Sequence, residues 1–110
     1  MKTITKKEIK QMHDKKHEDF VLINVLSQEY FNKKHIETSI NIPHDQGNFE
    51  ETVEKTVGSK KRKVVVYCAG SKCDASIKAA KKLEKAGFAN VYAYEGGVED
   101  WFTGDHSKAA

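Results

Sequence analysis

Arginine, proline and tryptophan each occur once in this chain of 110 residues, at Arg62, Pro43 and Trp101, and cysteine occurs twice. One proline and 7 glycines exclude a collagen-like repeat and a Pro/Gly-rich linker. The longest uncharged apolar stretches, residues 20–25 and 64–68, fall far short of the ~20 residues of a spanning helix. No apolar segment follows the basic N-terminal residues, so no secretory signal is expected. All but one of the 19 basic side chains are lysine, set against 16 carboxylates for a net charge of +3. Arginine is the preferred side chain for bidentate contact with phosphate and guanine, so its scarcity argues against nucleic-acid recognition. A chain that is 38% hydrophobic and 32% charged fills one core and is polar outside it, which excludes a disordered acidic tail. The expectation is one domain over residues 1–110, with its core at about 4–102 and a frayed tail at 103–110. Cys68 and Cys73 are too few and too close for a disulfide framework. Without an export signal, a cytoplasmic, reducing setting and a chemical role for the thiols are expected.

The elements can be read in order. Thr5 and Glu8 form a capping box, with Ile4 and Ile9 spaced as its hydrophobic staple, and open a helix. Ile9 and Met12 carry its apolar stripe, while the charged run at 10–18 is a solvated face. Residues 20–25 form a continuous apolar strand of the kind buried on both faces. Ser27 stands where it can cap a short helix over 28–32, and an extended piece at 39–42 ends at Pro43. Phe49, Val53 and Val57 mark one helix face ending at Gly58. A second apolar strand at 63–67 precedes a loop and a helix over about 75–86, with Ile77, Ala80 and Leu83 on one face. Gly87 sits at the C-terminal left-handed position, a third strand covers 90–94, and Gly96-Gly97 opens a last turn or helix through Trp101. Alternating strands and helices with apolar strand runs specify an α/β fold, an open parallel sheet with helices on both faces. Such sheets place ligands beyond the carboxyl ends of their strands, which is where Cys68 falls.

The segment from Val64 to Ser76 delivers a thiol from a buried strand into a tight loop that runs directly into a helix. Inward-pointing backbone N–H groups and the helix N-terminus both favour a thiolate, and cysteines so placed have pKa values of about 3.5–7.5. No histidine base is needed. The alternative is a buried structural cysteine, since free cysteine is among the most buried residue types.

The segments Leu22-Ile-Asn-Val25, Glu29-Tyr30, His35-Ile36, Ser39-Ile-Asn-Ile-Pro43, Val64-Val-Val-Tyr-Cys68, Ala79-Ala-Lys-Lys-Leu83, Gly87-Phe-Ala-Asn-Val-Tyr92 and Glu95-Gly-Gly-Val-Glu-Asp-Trp101 stand in one order. From about Ile4 to Trp101 the chain resembles a rhodanese-like domain. The resemblance implies that Cys68 accepts a sulfane sulfur as a persulfide, cradled by the backbone of Ala69, Gly70, Ser71, Lys72 and Cys73. It also implies a small sulfur-containing anion as donor, a thiol or cyanide-like acceptor, and no cofactor.

Some positions depart from the family. Asn24 and Leu26 replace the usual Asp and Arg, removing an ion pair near the strand at 20–25. Gly70 comes one place early in the loop, and Cys73 stands in place of an Arg that would clamp an anion, which weighs against thiosulfate as the favoured donor. Lys72 is either a point charge at the rim or a solvated side chain. Asp74 occupies the place of the Arg that phosphatases of related architecture use for phosphate, and reads instead as the cap of the helix at Ala75. Cys68 and Cys73 supply half of a tetrahedral zinc set, and His13, His17, His35, His44 and His106 offer no matching pair, so no metal is expected. His35 reads as a structural hydrogen-bonding residue. Trp101, Phe20, Tyr67 and Phe88 read as core, and Gly96-Gly97 as tight backbone packing near the site.

The expected function is a sulfurtransferase that moves sulfur from a thiosulfate- or polysulfide-type donor through a Cys68 persulfide. The alternative is a non-catalytic module that binds a partner or senses redox state through Cys68 and Cys73. Cys73 is also the candidate resolving thiol, or a small apolar filler. No nucleic acid or membrane partner is expected, and the sequence carries no signal of oligomeric state.

Overall fold

A computed structural model describes residues 2–12, 20–70 and 72–102. The elements are β1 (Lys2–Thr3), α1 (Lys6–Lys10), β2 (Phe20–Asn24), α2 (Gln28–Lys33), β3 (Ile40–Asn41), α3 (Phe49–Val57), β4 (Lys63–Tyr67), α4 (Ala75–Lys85) and β5 (Val91–Tyr94). Residues 97–102 add a last helical turn. The sheet runs β1-β5-β4-β2-β3, and every neighbouring pair is parallel. This is the expected α/β architecture. The charged run beyond Met12 and the tail at 103–110 lie outside the described residues.

Side chains alternate across the sheet, and the alternation sorts the core into two layers. Val21, Ile23, Val25, Val64, Val66, Cys68, Val91 and Ala93 face α3 and α4, which contribute Phe49, Val53, Val57, Ala79, Ala80 and Leu83. Leu22, Val65, Tyr67 and Tyr94 face the other way, toward Ile4, Ile9, Met12 and Ile36, with Trp101 packed against them. Both faces of β2 and β4 are therefore apolar, which is why these strands read as unbroken runs. Trp101 is half-buried and meets the Tyr94 ring edge-on, with ring centres 6.2 Å apart.

Local signals fix the helix ends. Glu8 N–H donates to Thr5 Oγ1 at 3.2 Å and Thr5 N–H donates to Glu8 Oε1 at 3.1 Å, completing the capping box. Ile4 and Ile9 are both buried in one cluster, as the staple requires. At the end of α4, Gly87 adopts φ +99°, and the Gly87 and Phe88 amides donate to Glu84 and Leu83 carbonyls at 3.1 and 3.0 Å. That is a Schellman closure, and it turns the chain toward β5.

Two expected side-chain caps do not form. Ser27 and Asp74 both occupy N-cap positions, yet neither side chain accepts a cap hydrogen bond. Their carbonyls accept instead, from Phe31 at 3.0 Å and from Lys78 at 3.0 Å. The exposed Asp74 carboxylate lies 3.5 Å from the Lys78 ammonium one turn along. Strand β1 is an addition: two exposed polar residues carry no apolar signal and become a strand by pairing with Tyr92 and Ala93.

Candidate active site

Strand β4 is central, flanked by β5 and β2, and its last residues have opposite duties. Tyr67 points to the α1 side, where its hydroxyl accepts the Ile36 amide at 3.0 Å and meets Ser39 Oγ at 2.7 Å. Cys68 points to the α3/α4 side and is fully buried. A tight loop leads from Cys68 into α4, closed by the Cys73 amide donating to the Gly70 carbonyl at 3.0 Å.

A second segment clamps this loop. Val98 N–H donates to the Cys68 carbonyl at 3.0 Å, and Glu99 N–H donates to the Ala69 carbonyl at 2.9 Å. Gly97 permits the approach. It sits at φ +59°, and a β-carbon there would stand 2.3 Å from the Cys68 carbonyl oxygen. The expected role of Gly96-Gly97 in backbone packing is thus located on the loop itself. Tyr94 hydroxyl and the Asp100 carboxylate are hydrogen-bonded and anchor the same segment to β5.

Around the sulfur the arrangement differs from expectation. Cys68 Sγ donates to the Cys73 carbonyl at 3.3 Å and lies 3.6 Å from Ser76 Oγ. Burial pushes the Cys68 thiol up from its ordinary value, the neighbouring Cys73 thiol adds to this, and contacts from Ser76 oppose it. The expected lowering of Cys68 is therefore corrected: the sulfur lies at the covered end of a buried strand, and the backbone donors are divided between two sulfurs. Burial pulls Cys73 upward, but the neighbouring Cys68 thiol and the amides of Ala75 and Ala69 together hold it below its ordinary value. Cys73 is half-buried, and both thiols are free.

The remaining loop residues take different positions. Ala69 and Lys72 are exposed and Gly70 is buried, while Ser71 lies outside the described residues. The Glu99 side chain packs over Gly70, with Oε2 2.9 Å from where a Gly70 β-carbon would stand. Glu99 and the buried Ser76 are site residues that sequence reading passed over. The available signals were a polar residue in the first turn of the helix after the cysteine, and an acid directly after the Gly-Gly pair.

The positions of the absent ion pair are joined by neutral groups. Asn24 Oδ1 accepts the Leu26 amide at 2.9 Å, and Asn41 Nδ2 donates to the carbonyls of Asn24 and Leu26 at 3.1 and 2.9 Å. Asn24 Nδ2 is buried with no partner among the described residues. His35 is structural as expected: its ring stacks on Phe31 at 3.8 Å, and Nδ1 lies 2.7 Å from the Phe31 carbonyl. His13, His17 and His106 lie outside the described residues. A cavity of about 310 Å³ opens on the opposite side of the sheet, lined by Ile9, Leu22, Ile36, Thr38 and Trp101, and none of the cysteine loop reaches it. Among the described residues no helix is long and apolar enough to cross a membrane.

The profile of the family described as Rhodanese-like domain matches residues 5–103. The chain belongs to this family. This rhodanese-like domain is 32% identical over 101 residues to Uncharacterized protein YibN of Escherichia coli (strain K12), covering 92% of the chain and 67% of that protein. The crystal structure of BH2092 from Bacillus halodurans superposes with a TM-score of 0.82 at 29% identity, covering 94% of the chain and 73% of that structure. A rhodanese from E. coli solved with anions superposes with a TM-score of 0.63 at 28% identity, covering 74% and 89%.

Proposed function

We propose that this rhodanese-like domain is a sulfurtransferase that carries a sulfane sulfur as a persulfide on Cys68. The observation that carries the reading is the placement of Cys68. It is a thiol at the end of the central strand, under a loop held from two sides, with its sulfur 3.3 Å from the Cys73 carbonyl oxygen and 3.6 Å from Ser76 Oγ. Cys68 reacts as its thiolate, formed by loss of its proton to solvent, without a histidine base. That thiolate attacks the outer sulfur of the donor, the donor's sulfur–sulfur bond breaks, and the donor leaves as a thiolate with the electron pair. Ser76 Oγ and its amide steady the charge on Cys68. A thiol or cyanide-like acceptor then attacks the outer persulfide sulfur and returns Cys68 to the thiolate.

Charge around the loop selects the donor. The Glu99 carboxylate packs on Gly70 and Asp74 stands at the loop's end, while no arginine closes the loop and Lys72 is exposed. Without that arginine the loop lacks a bidentate clamp for a dianion, which favours a polysulfide or a low-molecular-weight persulfide over thiosulfate. The E. coli rhodanese solved with anions supports the capacity of the fold to receive an anion. A reducing, cytoplasmic compartment, which keeps both thiols available, completes the reading.

Intact mass after anaerobic incubation with polysulfide tests it. One added sulfur on Cys68, absent in Cys68→Ser with the fold retained, is expected; no added sulfur on the wild type overturns the reading. The nearness of Cys73 to Cys68 Sγ, with its carbonyl 3.3 Å away, favours a second reading as a redox-sensing module, which takes up no sulfur and forms a disulfide on peroxide treatment.

A further inference from the structure

On the face of the sheet away from the cysteines, α1, β2 and the turn after α2 line the cavity of about 310 Å³. From that lining we infer that the cavity is a binding site for a free α-amino acid with a large apolar side chain. The inference is independent of the chemistry proposed for Cys68.

The body of the cavity is apolar and held in place. Buried Ile9, Leu22 and Ile36 line it, with half-buried Phe20 and Trp101. Trp101 is fixed edge-on by Tyr94, and Lys6 Nζ donates to its carbonyl at 2.6 Å. The ammonium groups of Lys6 and Lys10 stand 5.5 and 5.6 Å from its ring centre. A wall already held in this way loses little freedom when a ligand arrives. The volume stands at the small end of the ~300–1,000 Å³ of ligand pockets, which suits one side chain rather than a segment of polypeptide.

The polar lining carries one group of each sign and a hydroxyl. Lys10 comes from α1, and Glu37 and Thr38 are the central residues of a turn. That turn is well anchored. The Ile36 carbonyl accepts the Ser39 amide at 3.0 Å and Ser39 Oγ at 2.6 Å, and the Tyr67 hydroxyl from the central strand meets both Ile36 and Ser39. Thr38 sits at φ +77°, a left-handed conformation that strains a β-branched residue and that glycine adopts freely. Such strain persists only where the surroundings over-determine it, and it clusters at ligand sites. What threonine adds over glycine is a side chain with a hydroxyl, at a residue that lines the cavity.

Charge selects the class of ligand. A simple carboxylate that pairs with Lys10 meets the Glu37 carboxylate, and a simple amine that pairs with Glu37 meets the Lys10 ammonium. A zwitterion satisfies both, so the lining opposes each single charge with one of its own groups. The α-ammonium and α-carboxylate of an amino acid supply the two charges, Thr38 Oγ1 donates to the carboxylate, and the side chain fills the apolar body. Lys10 and Glu37 are exposed, so each pair adds only a modest factor and the affinity is weak.

The test reads the fluorescence of Trp101, the single tryptophan, in the reduced full chain. Three probes share a phenyl ring: L-phenylalanine, 3-phenylpropionate, which lacks the ammonium, and phenethylamine, which lacks the carboxylate. L-Phenylalanine at millimolar concentration is expected to shift the emission saturably, with each single-charge probe about fivefold weaker. Glu37→Gln should erase the disadvantage of 3-phenylpropionate, and Lys10→Gln that of phenethylamine. Thr38→Gly should weaken L-phenylalanine without lowering the urea midpoint, because it relieves the left-handed strain. No saturable response to L-phenylalanine overturns the inference. So does a 3-phenylpropionate or phenethylamine response equal to that of L-phenylalanine, or a preference that survives both charge substitutions. The wild-type titrations decide the question even where a variant fails to fold.

Discussion

The carbonyl oxygen of Cys68 lies 2.3 Å from where a β-carbon on Gly97 would stand. No side chain fits there without moving backbone. Gly97→Ala adds left-handed strain at φ +59° to that collision and is expected to cost about 2 kcal/mol or more. Because the displaced group is the cysteine loop, persulfide formation should fall along with the urea midpoint. A variant of unchanged stability and unchanged sulfur uptake would show that the clamp is dispensable.

Tyr67→Phe separates stability from chemistry. The change removes the acceptor of the Ile36 amide and the partner of Ser39 in a buried place, and is expected to cost about 1–3 kcal/mol. Tyr67 faces the opposite side of the sheet from Cys68, so sulfur uptake per folded molecule should stay at the wild-type level. Denaturant titration and intact mass, run on the same sample, check both halves.

The two thiols depart from the ordinary value of 9.0 in opposite directions, Cys68 upward and Cys73 downward. Cys73→Ala removes from Cys68 a neighbouring thiol that favours its neutral form, leaving burial as the main upward cause. The pH midpoint of Cys68 alkylation by iodoacetamide should therefore drop in Cys73→Ala. A rising midpoint would contradict the pairing. By linkage, the raised Cys68 contributes stability that is complete below 9.0 and is lost as pH climbs through its folded value.

His35→Gln should lower stability by about 1 kcal/mol, the worth of one hydrogen bond and a stacked ring at a partly exposed site. The pH profile of persulfide formation should not move, since His35 engages Phe31 and holds no proton for Cys68. Loss of a titration step in that profile would make His35 part of the chemistry.

Much of this architecture is legible in the residues because local and global preferences agree. The apolar runs at β2 and β4 leave no polar face, so burial on both sides is their only stable arrangement, and the Thr5–Glu8 box and Gly87 carry their geometry in their chemistry. The failures have a common physical source. Strand β1 is held by its partner rather than by its own residues, and the side chains of Ser27 and Asp74 turn away from caps whose backbone positions were correct. The carbonyls of Cys68 and Ala69 are held by a clamp that arrives from residues 97–99, far along the chain. Spacing within the loop contains no record of that contact. The same holds for Glu99 over Gly70.

That clamp also sets an order of events during biosynthesis. Cys68 emerges from a ribosome well before Val98 and Glu99, whose amides hold the carbonyls of Cys68 and Ala69, and before β5, which closes one side of β4. A nascent chain therefore displays this thiol without the segment that fixes its surroundings. Burial of Cys68 is complete only once residues 97–102 have docked, so the thiol is most open to electrophiles during its own translation.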